Sequence, residues 1–135
     1  MNNPNVIVSL YEDMGRGLTN LTSIGLGEFI MQCELLVLSP SDTLLANVTD
    51  LKHYTFKYSN DQDCLVLGLG EIFNHSDTPN VKYELQNFIQ NGVSRKVMVF
   101  SAIRDIAPGE QLFIDYGADT IVNTQDYINN ESLVG

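Results

Sequence analysis

A chain of 135 residues, 44% hydrophobic and 18% charged, has the length of one domain with a single core and is too apolar for a disordered segment. Acidic residues outnumber basic ones 17 to 7, for a net charge of −10, and the cations Arg16, Lys52, Lys57, Lys82, Arg95, Lys96 and Arg104 are scattered. That distribution offers no stripe for a phosphate backbone, so it argues against direct nucleic-acid binding and points to cationic partners such as basic peptides.

The opening MNNPNVIV lacks the cationic start and apolar run of a secretion signal, and no apolar stretch approaches the ~20 residues of a membrane span. The expectation is a soluble, intracellular protein with no membrane contact. Residues 6–10 read as a first strand, rich in Val, Ile and Leu, and Gly15-Arg16-Gly17 as a turn after it. Gly25-Leu-Gly27 marks a second turn before a strand at 28–38, which Ser39-Pro40 ends. Leu44, Leu45, Val48, Leu51 and Tyr54 then recur at three- and four-residue spacings behind Ser41 and Asp42, which predicts a helix from Asp42 to about Lys57. Further strands are expected at 64–67, 81–85, 96–103 and 111–116, with Asn91-Gly92 and Pro108-Gly109 as turns. Residues 118–135 carry no Lys or Arg but enough apolar side chains to pack as a short helix or a lid. The fold class is therefore mainly β, with few helices.

Three constellations could carry chemistry. Gly15-Arg16-Gly17 and Gly25-Leu-Gly27 do not complete the dinucleotide pattern GxGxxG, and one helix among many strands does not suit that fold. Gly15 and Gly17 either turn the chain or let a ligand approach the backbone. Asn74-His75-Ser76, directly after Ile72-Phe73, is either a self-satisfied polar turn or a binding loop. Asp115-Tyr116-Gly117 ends the last predicted strand, where Tyr116 is either a half-buried core aromatic or a hydroxyl presented to a cleft. Cys33 and Cys64 lie in apolar runs and read as buried thiols; with only His53 and His75 beside them, no metal site is expected.

Taken in order, Gly-x-Gly, Asn-His-Ser-x-x-Pro-Asn and Gly-Glu-x-Leu-x-x-Asp-Tyr-Gly resemble the SET-domain family of protein-lysine methyltransferases. Gly27-Glu28-Phe29-Ile30, Tyr54-Thr55-Phe56 and the run from Phe100 to Ile106 extend the likeness over roughly residues 6 to 117. The short chain is most similar to minimal, free-standing viral and microbial members. The resemblance implies a SET-domain fold of small sheets with a knot-like C-terminal crossing in residues 1–117, followed by a lid or short helical segment over 118–135 in place of a zinc-binding C-terminal region.

It further implies S-adenosylmethionine as cofactor, S-adenosylhomocysteine as product, and a basic, lysine-containing protein or peptide as substrate, histone-like tails included. Gly15, Arg16, Gly17, Tyr54, Asn74 and His75 match cofactor-binding positions, and Tyr116 matches the catalytic tyrosine. Ile114 falls where a Tyr or Phe often tunes the number of methyl groups, so di- or trimethylation is expected, and Tyr127 is the aromatic candidate for closing the lysine channel. Glu71 departs from the family, many of whose members carry arginine there. A homodimer is one way for so small a domain to bury its C-terminal segment. In a eukaryotic cell the implied location is nuclear, and otherwise cytoplasmic. The alternative from another class is a SET fold without catalysis that binds a basic peptide or partner protein.

Overall fold

The computed structural model describes residues 5–116 and the backbone of residues 122–127. Two sheets divide the strands. The smaller has the order β1-β2-β9-β6, from β1 (Val6–Tyr11), β2 (Gly15–Asn20), β6 (Asn74–His75) and β9 (Gln111–Ile114). The larger has the order β10-β7-β8-β3-β5-β4, from β3 (Phe29–Val37), β4 (Thr55–Lys57), β5 (Asp63–Val66), β7 (Val81–Gln90), β8 (Val93–Ala102) and β10 (Val122–Tyr127). The mainly β reading holds. Neighbours are antiparallel except β6 with β9 and β10 with β7.

Alternation along the strands builds the core. On β7, Val81, Tyr83 and Leu85 point inward, while Lys82 and Glu84 form an outer-face ion pair at 3.3 Å. Met98, Phe100 and Ala102 repeat the period on β8, and Leu112 and Ile114 on β9. Phe73 stacks on Phe100 with ring centroids 4.5 Å apart, joining the segment before β6 to the large sheet. Cys33 and Cys64 are free and buried, as read from sequence.

Three expectations change. The Gly15–Gly17 turn is instead the start of β2, because the reversal occurs over Glu12-Asp13-Met14 and Tyr11 pairs with Gly15. The helix expected from Asp42 to Lys57 is a short α1 (Pro40–Ala46), a 3-10 turn (Asp50–His53) and then β4. Local hydrogen bonding divides it: Ser39, not Ser41 or Asp42, caps α1 by accepting from the Asp42 N–H at 3.1 Å, and Thr49 starts the 3-10 turn by accepting from the Leu51 N–H at 3.2 Å. Its apolar stripe is not core, for Leu44, Leu45 and Val48 are 72%, 65% and 80% exposed. Of the two forms expected after residue 117, the helical one does not apply to Val122–Tyr127, whose backbone is the edge strand β10 against β7. The rest of 118–135 lies outside the described residues; among the described residues, no helix is long and apolar enough to cross a membrane.

Candidate active site

The C-terminal crossing brings the sequence constellations together. β9 lies parallel to β6, with Asn74 opposite Phe113 and His75 opposite Ile114, and the Ser76 N–H continues the ladder to the Ile114 carbonyl at 2.9 Å. Asn80 pins the end of the loop from inside. Its Nδ2 donates to the Gln111 carbonyl at 2.9 Å, its Oδ1 accepts from the Phe113 N–H at 2.8 Å, and the residue is 1% exposed.

Tyr116 is held at both ends. Its hydroxyl donates to the Phe73 carbonyl, and its backbone N–H donates to His75 Nδ1 at 2.9 Å. An accepting Nδ1 puts the imidazole proton on Nε2, which donates to Asp77 Oδ1 at 3.0 Å. The His75 and Tyr116 rings lie 5.1 Å apart. Burial, and secondarily the Glu71 charge, raise the Tyr116 hydroxyl above its ordinary pKa, so it remains a phenol at neutral pH.

The loop that holds this tyrosine also reaches the glycine strand. Asn74 Nδ2 donates to the Arg16 carbonyl at 3.0 Å. A Cβ on Gly17 would meet Gln111 Nε2 at 2.5 Å and Asn74 Nδ2 at 2.8 Å, so only glycine admits this contact. Arg16 and Gly17 thus meet Asn74, with Gly15 beside them on β2 and His75 following on β6. The glycines flanking Arg16 leave backbone donors and acceptors beside an asparagine amide, groups that suit a polar ligand.

Tyr116 also lines a cleft of about 370 Å³ together with Lys52, His53, Thr55, Phe56, Lys57, Glu71 and Tyr83. Phe56 meets Tyr83 and Tyr116 edge-on, with centroids 5.6 and 6.4 Å away, and forms the aromatic wall. The Tyr83 hydroxyl donates to the Asp115 carbonyl at 3.2 Å, and burial pushes its pKa up to about 12. Glu71 comes from the 3-10 turn Leu69–Ile72 and accepts from the Val66 N–H at 2.8 Å; burial raises its carboxyl above the usual range. Lys52 and Lys57 put two cations on the wall of the cleft, which therefore differs locally from the acidic exterior.

Not every expected residue faces this cleft. Tyr54, expected on the cofactor side and not in this cleft, is half-exposed between the cleft residues His53 and Thr55. Ile114 is fully buried in the core, where strand alternation puts it beside Leu112. The Tyr127 side chain lies outside the described residues, and its backbone is in register with Gln90, about 23 Å along β7 from Tyr83 at roughly 3.3 Å per residue. Tyr83 and Phe56 were missed as site residues. The signal for Tyr83 was its inward phase with Val81 and Leu85, since a buried tyrosine hydroxyl needs a partner.

Residues 15–117 match the SET domain family. A histone-lysine N-methyltransferase from Schizosaccharomyces pombe, specific for H3 lysine-37, is 35% identical over 69 residues, which are 51% of this chain and 43% of that protein, so the chain spans less than half of this relative. A protein from Plasmodium falciparum described as a histone methyltransferase by assignment superposes with a TM-score of 0.68 at 26% identity, covering 84% of this chain and 98% of that one. The ctPRC2 complex in an autoinhibited conformation bound to S-adenosylmethionine gives a TM-score of 0.63 at 25% identity, covering 83% of this chain and 15% of that one. Sequence motifs, crossing geometry and structural likeness agree, and the chain belongs to the SET-domain family.

Proposed function

We propose that the protein is an S-adenosylmethionine-dependent protein-lysine N-methyltransferase acting on a basic, histone-like segment. One observation carries this reading beyond family membership: Tyr116 lines an aromatic cleft while its hydroxyl is anchored on the carbonyl of Phe73, the residue before Asn74, which itself reaches the glycine strand. When bound, S-adenosylmethionine supplies a sulfonium-activated methyl group.

The rest is the work of the chain. Gly15, Arg16, Gly17, Asn74 and His75 hold the cofactor side. Phe56, Tyr83 and Tyr116 confine the lysine and exclude water around its amine. Methyl transfer needs no protein nucleophile, so alignment provides most of the acceleration. Tyr116 aligns the reacting groups because its ring and hydroxyl are both fixed. The net charge of −10 draws in the basic segment around the target. In a eukaryotic cell such a substrate puts the protein at chromatin.

Calorimetry with S-adenosylmethionine, followed by mass spectrometry of methylated basic peptides, tests the proposal. Tyr116→Phe should lower kcat by about 100-fold or more, the scale for losing one positioned polar group in an active site. Equal rates for the two proteins would reject the assignment. Ile114 lies in the core and not on the cleft wall, where Tyr83 brings a hydroxyl, so Ile114 gives no ground for setting the number of methyl groups added.

A further inference from the structure

We propose that Glu71 accepts a proton from the ε-ammonium of the incoming lysine and so delivers a neutral amine to Tyr116. The inference rests on the methyltransferase reading above and adds a residue to it. Glu71 supplies the only carboxylate among the described residues that line the cleft. One of its oxygens accepts from the Val66 N–H, which fixes the carboxyl at the cleft wall.

The charged and titratable groups around it come from several elements. Lys52 and His53 belong to the 3-10 turn, Lys57 to β4, Tyr83 to β7, and Tyr116 follows β9. Behind it, Cys33 on β3 and Cys64 on β5 both feel its charge. The hydroxyls of Tyr83 and Tyr116 donate to carbonyls and hold their protons more tightly than usual, so they are poor bases. Glu71 also binds a proton more readily than an exposed carboxylate because it is partly buried. A carboxylate with raised proton affinity is a better acceptor near neutral pH.

The chemistry calls for such a group. A free lysine titrates near 10.4, so about one in a thousand is neutral at pH 7.4. Lys52 and Lys57 at the cleft oppose entry of an ammonium, and a carboxylate on its wall offsets that repulsion. In the proposed step an Nζ–H bond breaks and a Glu71 O–H bond forms. The freed nitrogen lone pair would then be available to the methyl group that bound S-adenosylmethionine would supply, the electron pair of its carbon–sulfur bond staying with sulfur. The product is a methylammonium, and Glu71 returns its proton to solvent before the next turnover.

The test compares pH profiles of kcat/KM on a lysine peptide for the unaltered protein, Glu71→Gln and Glu71→Asp, at saturating S-adenosylmethionine. Glu71→Gln should lose about 10- to 100-fold near pH 7, and the gap should close as the pH approaches 10 and solution supplies the neutral amine. Glu71→Asp should recover part of the rate. Calorimetric affinity for the cofactor should stay within about twofold, where a 10-fold change is 1.4 kcal/mol.

Unfolding would not mimic this result. Burial raises the Glu71 carboxyl in the folded state, so its ionisation opposes folding at neutral pH, and that penalty disappears as pH falls below the ordinary carboxylate range. Glu71→Gln should therefore melt no lower than the unaltered protein at pH 7. Parallel pH profiles, or a loss confined to cofactor affinity, would overturn the role of Glu71 while leaving the methyltransferase assignment intact. An unaltered protein that binds cofactor but methylates no lysine peptide would overturn both.

Discussion

The segment from Gly68 to Asn80 and the segment from Ser39 to Lys57 are both irregular, yet they are held in opposite ways. The first is tied to distant strands: Asn74 to Arg16, Ser76 to Ile114, Asn80 to Gln111 and Phe113, and His75 to Tyr116. The second is organised up to His53 chiefly by its own caps, Ser39 and Thr49, touching β5 through Thr43 and pairing with it only at Thr55–Lys57, and it leaves Leu44 and Leu45 in solvent. A polar residue buried between strands fixes the path of a loop, whereas apolar periodicity on a short helix fixes nothing unless a surface lies opposite it.

Substitutions sharpen this contrast. Asn80→Ala should have the largest effect on stability, because it strands the buried Gln111 carbonyl and Phe113 N–H; about 2–4 kcal/mol of loss is expected by urea unfolding. A loss under 1 kcal/mol would show that the loop is not pinned from inside. Gly70→Ala comes next. Its new Cβ would lie 2.5 Å from Val66 Cγ1 and 3.0 Å from both Cys33 Sγ and Phe100 Cε2, and overpacking of this kind costs about 1–3 kcal/mol. In the other segment, Leu44→Ser should change stability by about 0.5 kcal/mol or less, because Leu44 is 72% exposed. A large loss from this substitution would place the α1 stripe in a core and erase the distinction.

Legibility from sequence followed the same division. Strands whose two faces differ were readable: Val81, Tyr83 and Leu85 against Lys82 and Glu84 leave little ambiguity. The outer halves of β7 and β8, around Gln86, Asn87 and Ser94, are too polar to signal strand, yet they form the hairpin at Asn91-Gly92. The helix from 42 to 57 was over-read because spacing alone does not reveal that Thr49 diverts the backbone. Within the site, Asn74, His75 and Tyr116 stood out through their order along the chain. Phe56, Tyr83 and Glu71 did not, because the cleft they share unites three elements that no local pattern connects.

The twofold anchoring of Tyr116 bears on how the protein is made. The bonds that create the site span 41 residues from His75 to Tyr116 and 58 from Arg16 to Asn74. Closing such long loops is entropically costly and slow compared with forming the β7–β8 hairpin. A ribosome must release residue 116 before any catalytic geometry exists, so an emerging chain stays inert toward nearby lysines until its sheets have assembled.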